Sequence, residues 1–96
     1  MLIEAPFKTG DTVSLKLTSG EEVVGRFDTT VDGNVTLIKP MMLVMQQQGL
    51  GLGPFMFSVA PDTKFQFRSN SISCMAKTET DIAKQYTQST TGIALP

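Results

Sequence analysis

Chemistry has few places to start in this chain. It has no histidine and one cysteine, Cys74. That removes the usual general base, the commonest metal ligand and any intramolecular disulfide. No pair of carboxylates has a spacing that specifies an acid and a base. The remaining candidates are polar and local. Arg68 ends an apolar strand and is followed by Ser69 and Asn70, while Asp32 and Asn34 sit in an earlier turn. An arginine and an amide donate hydrogen bonds to phosphate oxygens or base edges, and Asp32 could orient Arg68 through a charge-assisted bond. The bland alternatives are a surface ion pair for Arg68 and ordinary turn duty for Asp32 and Asn34, both of which tolerate turn geometry. The chemistry on offer is recognition, not catalysis, with no metal and no cofactor expected. The run Gly49–Gly53 lacks the spacing of a dinucleotide fingerprint, and Pro54 opens a strand, not a helix, so a phosphate cradle is not expected there. Cys74 is expected to be a small buried strand residue, since nothing nearby would activate a thiol.

The elements that must position these residues are strands. Asp11–Leu17 alternates, with Val13, Leu15 and Leu17 on one face and Thr12, Ser14 and Lys16 on the other. Gly20 turns the chain. Glu22–Thr30 follows with Val23, Gly25 and Phe27 inward, and the mid-strand Gly25 marks a corner. Asp32-Gly33 is a strong hairpin signal. Val35–Lys39 starts a third strand that Pro40 interrupts, continuing past a bulge through Met41–Gln48. A loop at Gly49–Gly53 then leads to a return arm, Pro54–Val59, broken at Ala60–Thr63 and finished by Lys64–Arg68. After the polar turn, Ile72, Cys74 and Ala76 make a last stripe in Ile72–Lys77. Thr78–Gln88 is the only helical stretch. Thr78 is expected to cap it, with Asp81 in its first turn and Ile82 and Tyr86 on one face.

Two segments carry a family resemblance. Leu17, Gly20, Gly25 and Phe27, followed by Asp32, Asn34, Val35 and Leu37, resemble the first motif of Sm-like proteins. Phe65, Phe67, Arg68 and Ile72 resemble the second, with Ser69 where the family has glycine. Together the segments cover residues 13–37 and 65–76. The resemblance extends to Sm-like proteins of marine phage type, given the glycine- and methionine-rich middle. It implies an all-β fold: a five-stranded, strongly bent antiparallel Sm-like barrel, here with a short C-terminal helix where the family has an N-terminal one. It also implies a homo-oligomeric ring with single-stranded RNA at its pore loops, and it carries over Asp32, Asn34, Arg68, Ser69 and Asn70 as RNA-binding candidates. No aromatic precedes Asn34, so the base stacking worth about 1–3 kcal/mol per base is missing.

The totals fit one small domain: a barrel over residues 1–78, with a helix and mobile tail over 79–96. Leu2, Ile3 and Phe7 are expected to cover one end of it. A net charge of −1 argues against coating duplex nucleic acid through a broad basic face. Residues 1–10 lack a signal peptide's apolar core and no run reaches transmembrane length, so a soluble cytoplasmic protein without membrane contact is expected. Both faces of the central hairpin are apolar, and a lone small barrel cannot bury both. Met41, Met45, Phe55 and Phe57, with Phe65, Phe67, Ile72 and Cys74 on the later strands, are therefore candidates for contacts between subunits. The same surface supports the alternative reading, an adaptor module that binds protein partners through the hairpin and the helix.

Overall fold

A computed structural model describes residues 7–60 and 62–90. Its strands are β1 (Thr12–Leu17), β2 (Glu22–Val31), β3 (Asn34–Gln46), β4 (Gly49–Pro54), β5 (Lys64–Phe67) and β6 (Ile72–Lys77). A 3₁₀ turn, Ser69–Ser71, joins the last two, and helix α1 spans Thr80–Thr90. The sheet is antiparallel and runs β4-β3-β2-β1-β6. The second half of the long β3 pairs with β4 and its first half with β5. The sheet is bent and unclosed, with β6 at one edge.

Alternation builds the core. Val13, Leu15 and Leu17 of β1, Val23 and Phe27 of β2, Val35 and Leu37 of β3, and Phe67 of β5 form one buried cluster. Period-two spacing puts these residues on one face of each strand, and burial of that face is the main force bending the sheet around its core. Phe7 packs against this core, its ring 6.0 Å from that of Phe27. Leu2 and Ile3 lie outside the described residues.

The bend has a local cause. Val24 pairs with Met41 but Arg26 pairs with Ile38, so Lys39 and Pro40 bulge opposite Gly25. Proline cannot donate to the ladder, and a bulge is one of the few places it fits. Lys39 takes up the geometry with φ +52°. Across from it, a Cβ on Gly25 would stand 2.9 Å from Leu37 Cδ1. Gly25 is thus a corner where β3 crosses β2 at close range.

The hairpin departs from the sequence-based expectation. Its turn is at Gln47-Gln48, and the glycine run expected as a loop is strand β4, with Leu50 paired to Met45 and Leu52 to Leu43. Alternating Gly and Leu still has period two, and the absent side chain at Gly51 leaves room for Gln46 to lie across it. The return arm expected at Pro54–Val59 is irregular after Pro54, which divides the expected last arm into two strands and gives six in all.

Helix α1 covers the opposite face of β2 and β3. Its first turn is held by Glu79, whose carboxylate accepts from the Asp81 and Ile82 amides at 3.0 and 3.3 Å. Thr78, expected as the cap, instead shares a hydrogen bond with Ser14 Oγ at 2.8 Å. Tyr86 is fully buried, and its hydroxyl donates to the Ile38 and Lys39 carbonyls at 2.9 and 2.8 Å. The Lys39 ammonium donates in turn to the Thr90 carbonyl at 3.0 Å, closing the helix end over the bulge. Burial pushes the Tyr86 phenol above its ordinary value near 10, against the pull of the Arg26 charge, which stands 5.9 Å from the ring centre. Among the described residues no helix is long and apolar enough to cross a membrane.

Candidate nucleic-acid interface

Two turns that lie far apart in the sequence meet at one end of the sheet. Val31 and Asn34 pair across Asp32-Gly33, and both central residues have positive φ, +53° and +79°. That is the turn whose twist matches a two-stranded hairpin. It delivers Asn34 at the start of β3, beside the end of β5, because Val35 pairs with Phe67. The chain leaves β5 through Arg68 into the 3₁₀ turn, which the Ser71 amide and hydroxyl tie back to the Arg68 carbonyl at 2.9 and 2.7 Å.

A hydrogen bond joins the two turns. The Ser69 amide donates to Asn34 Oδ1 at 2.8 Å. The contact is close on the neighbouring residue as well, since a Cβ on Gly33 would stand 3.1 Å from Ser69 Cβ. Asn34 Oδ1 therefore holds the second turn, and its NH₂ group supplies the donors that the residue can offer a ligand. Arg68 is exposed beside it, as are Asp32, Ser69 and Asn70. The cluster presents donors from Asn34 and Arg68 to an acceptor-rich group such as a base carbonyl or a phosphate oxygen. Asp32 and Arg68 form no ion pair among the described residues; the two ion pairs present are Lys64–Asp28 at 3.4 Å and Lys77–Asp11 at 3.9 Å. Arg68 keeps its donors for another partner.

The residues expected between subunits fall into three groups. Phe67 lies in the core, with Phe55, Phe65 and Ile72 packed partly buried against it. The Phe55 ring meets Phe65 edge-to-face at 6.0 Å and lies tilted against Phe67 at 5.3 Å, which holds the arm after β4 against the sheet. Met41 is half-buried, while Met45 and Phe57 stand out at 79% and 87% exposed. Cys74 is exposed, not buried as expected. Among the described residues β6 is an edge strand, and no second layer lies over its outward residues.

Sequence reasoning missed Lys39, and it placed Tyr86 on a helix face with Ile82 without a role for its hydroxyl; the bonds of these two residues hold α1 on the sheet. The signal for Tyr86 was its helical spacing from Ile82; nothing in the sequence marks Lys39 for a positive φ.

No family model matches the sequence, and no curated protein matches it. Among solved structures the fold is similar to the crystal structure of a heptameric archaeal Sm protein, with a TM-score of 0.51 and 12% identity. The likeness covers 74% of this chain and 90% of that one. A bent antiparallel sheet with paired end turns, matched over nearly all of an Sm subunit, gives this chain an Sm-like fold.

Proposed function

We propose that the protein is a non-catalytic, self-assembling subunit of an Sm-like ring that binds single-stranded RNA weakly where the Asp32–Asn34 and Arg68–Asn70 turns meet. One observation carries the reading: the Ser69–Asn34 hydrogen bond, which unites two motif halves that the sequence holds 35 residues apart. The Val35–Phe67 pairing sets the two turns side by side, and this bond fixes one to the other, so that their donors face a ligand as one group. Self-assembly is supported by the open backbone edges of β5 and β6, each paired on one side only among the described residues. Such edges are an aggregation hazard unless something covers them, and ring closure covers every one at once.

The test is fluorescence anisotropy with short U-rich and A-rich RNA. Arg68→Ala should abolish measurable binding while leaving the melting temperature in place. Wild type and Arg68→Ala binding alike would remove the site from consideration. A second reading is favoured by Met45 and Phe57, whose exposure is high for such apolar side chains. In it the protein is an adaptor that docks protein partners on the hairpin. Partner capture that survives nuclease and Arg68→Ala but fails in Phe57→Ser selects that reading.

A further inference from the structure

The hairpin carries a surface that neither turn uses. From Pro40 to Pro61 the sequence has no charged residue. Within that run lies β4, which among the described residues pairs with β3 alone. The register says what its open side presents. Gln46 and Gly49 close a two-residue turn, so they and every second pair beyond them, Val44–Gly51 and Met42–Gly53, exchange the ladder bonds. Leu50 and Leu52 alternate with these. Their N–H and C=O groups, and the Pro54 carbonyl, point away from β3. The edge has none of the usual protections: no lysine, no inward charge, and no proline before its last residue.

We infer that β4 pairs with β4 of a second copy, antiparallel and across a two-fold axis at Gly51. The edge is complementary to itself. With Gly51 on the axis, Leu50 stands opposite Leu52 of the partner subunit, and both pairs exchange N–H···O=C bonds, which satisfies every outward group of the two leucines. No charge opposes the match, because neither copy has one there to repel the other. The side chains agree as well. Met45, Leu50 and Leu52 share a face through the β3–β4 pairing, and Met45 and Leu50 are 79% and 47% exposed. Two-fold pairing joins that face to its copy as one continuous apolar stripe. A partner with a charged strand would leave its charges against this stripe, so the uncharged copy is the better occupant. The contact does not require the β5 and β6 edges, and where those close a ring, several arms act together and strengthen it.

Cysteine crosslinking reads the register directly. In a Cys74→Ser background, Gly51→Cys places two thiols across the axis, within the separation a disulfide spans. The added side chain meets only the flexible end of Gln46. Gly53→Cys, on the same strand, lies roughly 13 Å from its own copy in this register, at about 3.3 Å per residue, and is the control. The expected result is rapid dimer formation by Gly51→Cys and little by Gly53→Cys. Equal crosslinking at both positions, or at neither, overturns the pairing. Light scattering supplies a second readout. Leu52→Pro removes an outward N–H and no ladder bond, and Leu50→Lys adds a charge to the stripe. Each should halve the wild-type mass, and a mass unchanged in both overturns the proposal. Met75→Pro removes a donor from the outer side of β6, because Thr78 N–H to Thr12 C=O fixes the alternation there. If the ring reading fails but the β4 pairing holds, Met75→Pro leaves the mass unaltered and Leu52→Pro still halves it.

Discussion

Gly25→Ala tests whether the corner of the sheet is set by contact between strands. The new Cβ would stand 2.9 Å from Leu37 Cδ1 and 3.1 Å from Leu37 Cβ. The δ-methyl can turn away. The Leu37 Cβ cannot, because it rides on the β3 backbone, and Leu37 is fully buried and fixed opposite Phe27. Forcing an extra methyl into a packed site costs about 1–3 kcal/mol. Replacing glycine narrows the unfolded ensemble and returns about 0.4–1 kcal/mol. The net loss is about 1–2 kcal/mol, or roughly 5–10 °C in melting temperature for a domain of this size. Thermal denaturation at fixed protein concentration measures it, since association would otherwise move the midpoint. A double-mutant cycle tests the cause. Leu37→Ala alone should lose about 2–5 kcal/mol to a cavity, but with Gly25→Ala the new methyl fills part of that space. The pair should then be less destabilised than the sum, by about 1 kcal/mol. A Gly25→Ala protein that melts higher than wild type would refute the close crossing, whereas additive losses in the cycle would assign the strain to the Leu37 Cβ, which Leu37→Ala keeps.

Asn34→Ala takes the acceptor from the Ser69 amide and should lower stability by about 1 kcal/mol; anisotropy should show RNA affinity falling with it, whereas Arg68→Ala loses affinity with stability changed by no more than about 0.5 kcal/mol. Tyr86→Phe removes the donor shared by the Ile38 and Lys39 carbonyls and should lower stability by about 1–2 kcal/mol, with the loss of helix read by circular dichroism. Because the folded state holds the phenol protonated to higher pH than the unfolded chain does, that contribution is complete below pH 10 and is lost as pH rises through the raised value. The melting temperature should therefore drop above about pH 10 in wild type and less so in Tyr86→Phe, and ultraviolet titration of the chain's one tyrosine reports the shift without interference.

Much of this architecture was legible because one rule, alternation, governs strands with a single buried face. Val13, Leu15 and Leu17 point inward as their spacing requires, and so do Val23 and Phe27. Asp32-Gly33 turns where two residues of positive φ are needed. The rule gives way where a second layer is added. Val24 should face solvent by its parity, yet it is fully buried. It shares its face with Arg26, which stands over the Tyr86 ring, so helix α1 covers that side of β2. No periodicity within β2 can report a layer supplied by residues sixty positions later. The site was legible as two motifs but not as a geometry. Asn34 was a candidate ligand residue, and half of its amide turns out to bind Ser69. Asp32 was a candidate partner for Arg68, and it stays unpaired among the described residues.

The central hairpin was misread for a related reason, and the misreading bears on assembly. A segment such as Gly49–Pro54 has no side-chain pattern strong enough to declare a strand, because glycine is depleted from strands and weakens them. It becomes one only because Met41–Gln46 is held extended beside it by the Lys39–Pro40 bulge and by Tyr86 pinning the backbone at Ile38 and Lys39. The strand thus owes its form to the neighbour it pairs with more than to its own side chains. That dependence bears on aggregation. Pro40 to Pro61 is an uncharged, apolar run with an open edge, which in a free chain invites unselective pairing. Pairing with β3 presents that edge in a fixed register, as a defined contact with one geometry, and glycines at alternate positions make the segment a poor strand by itself.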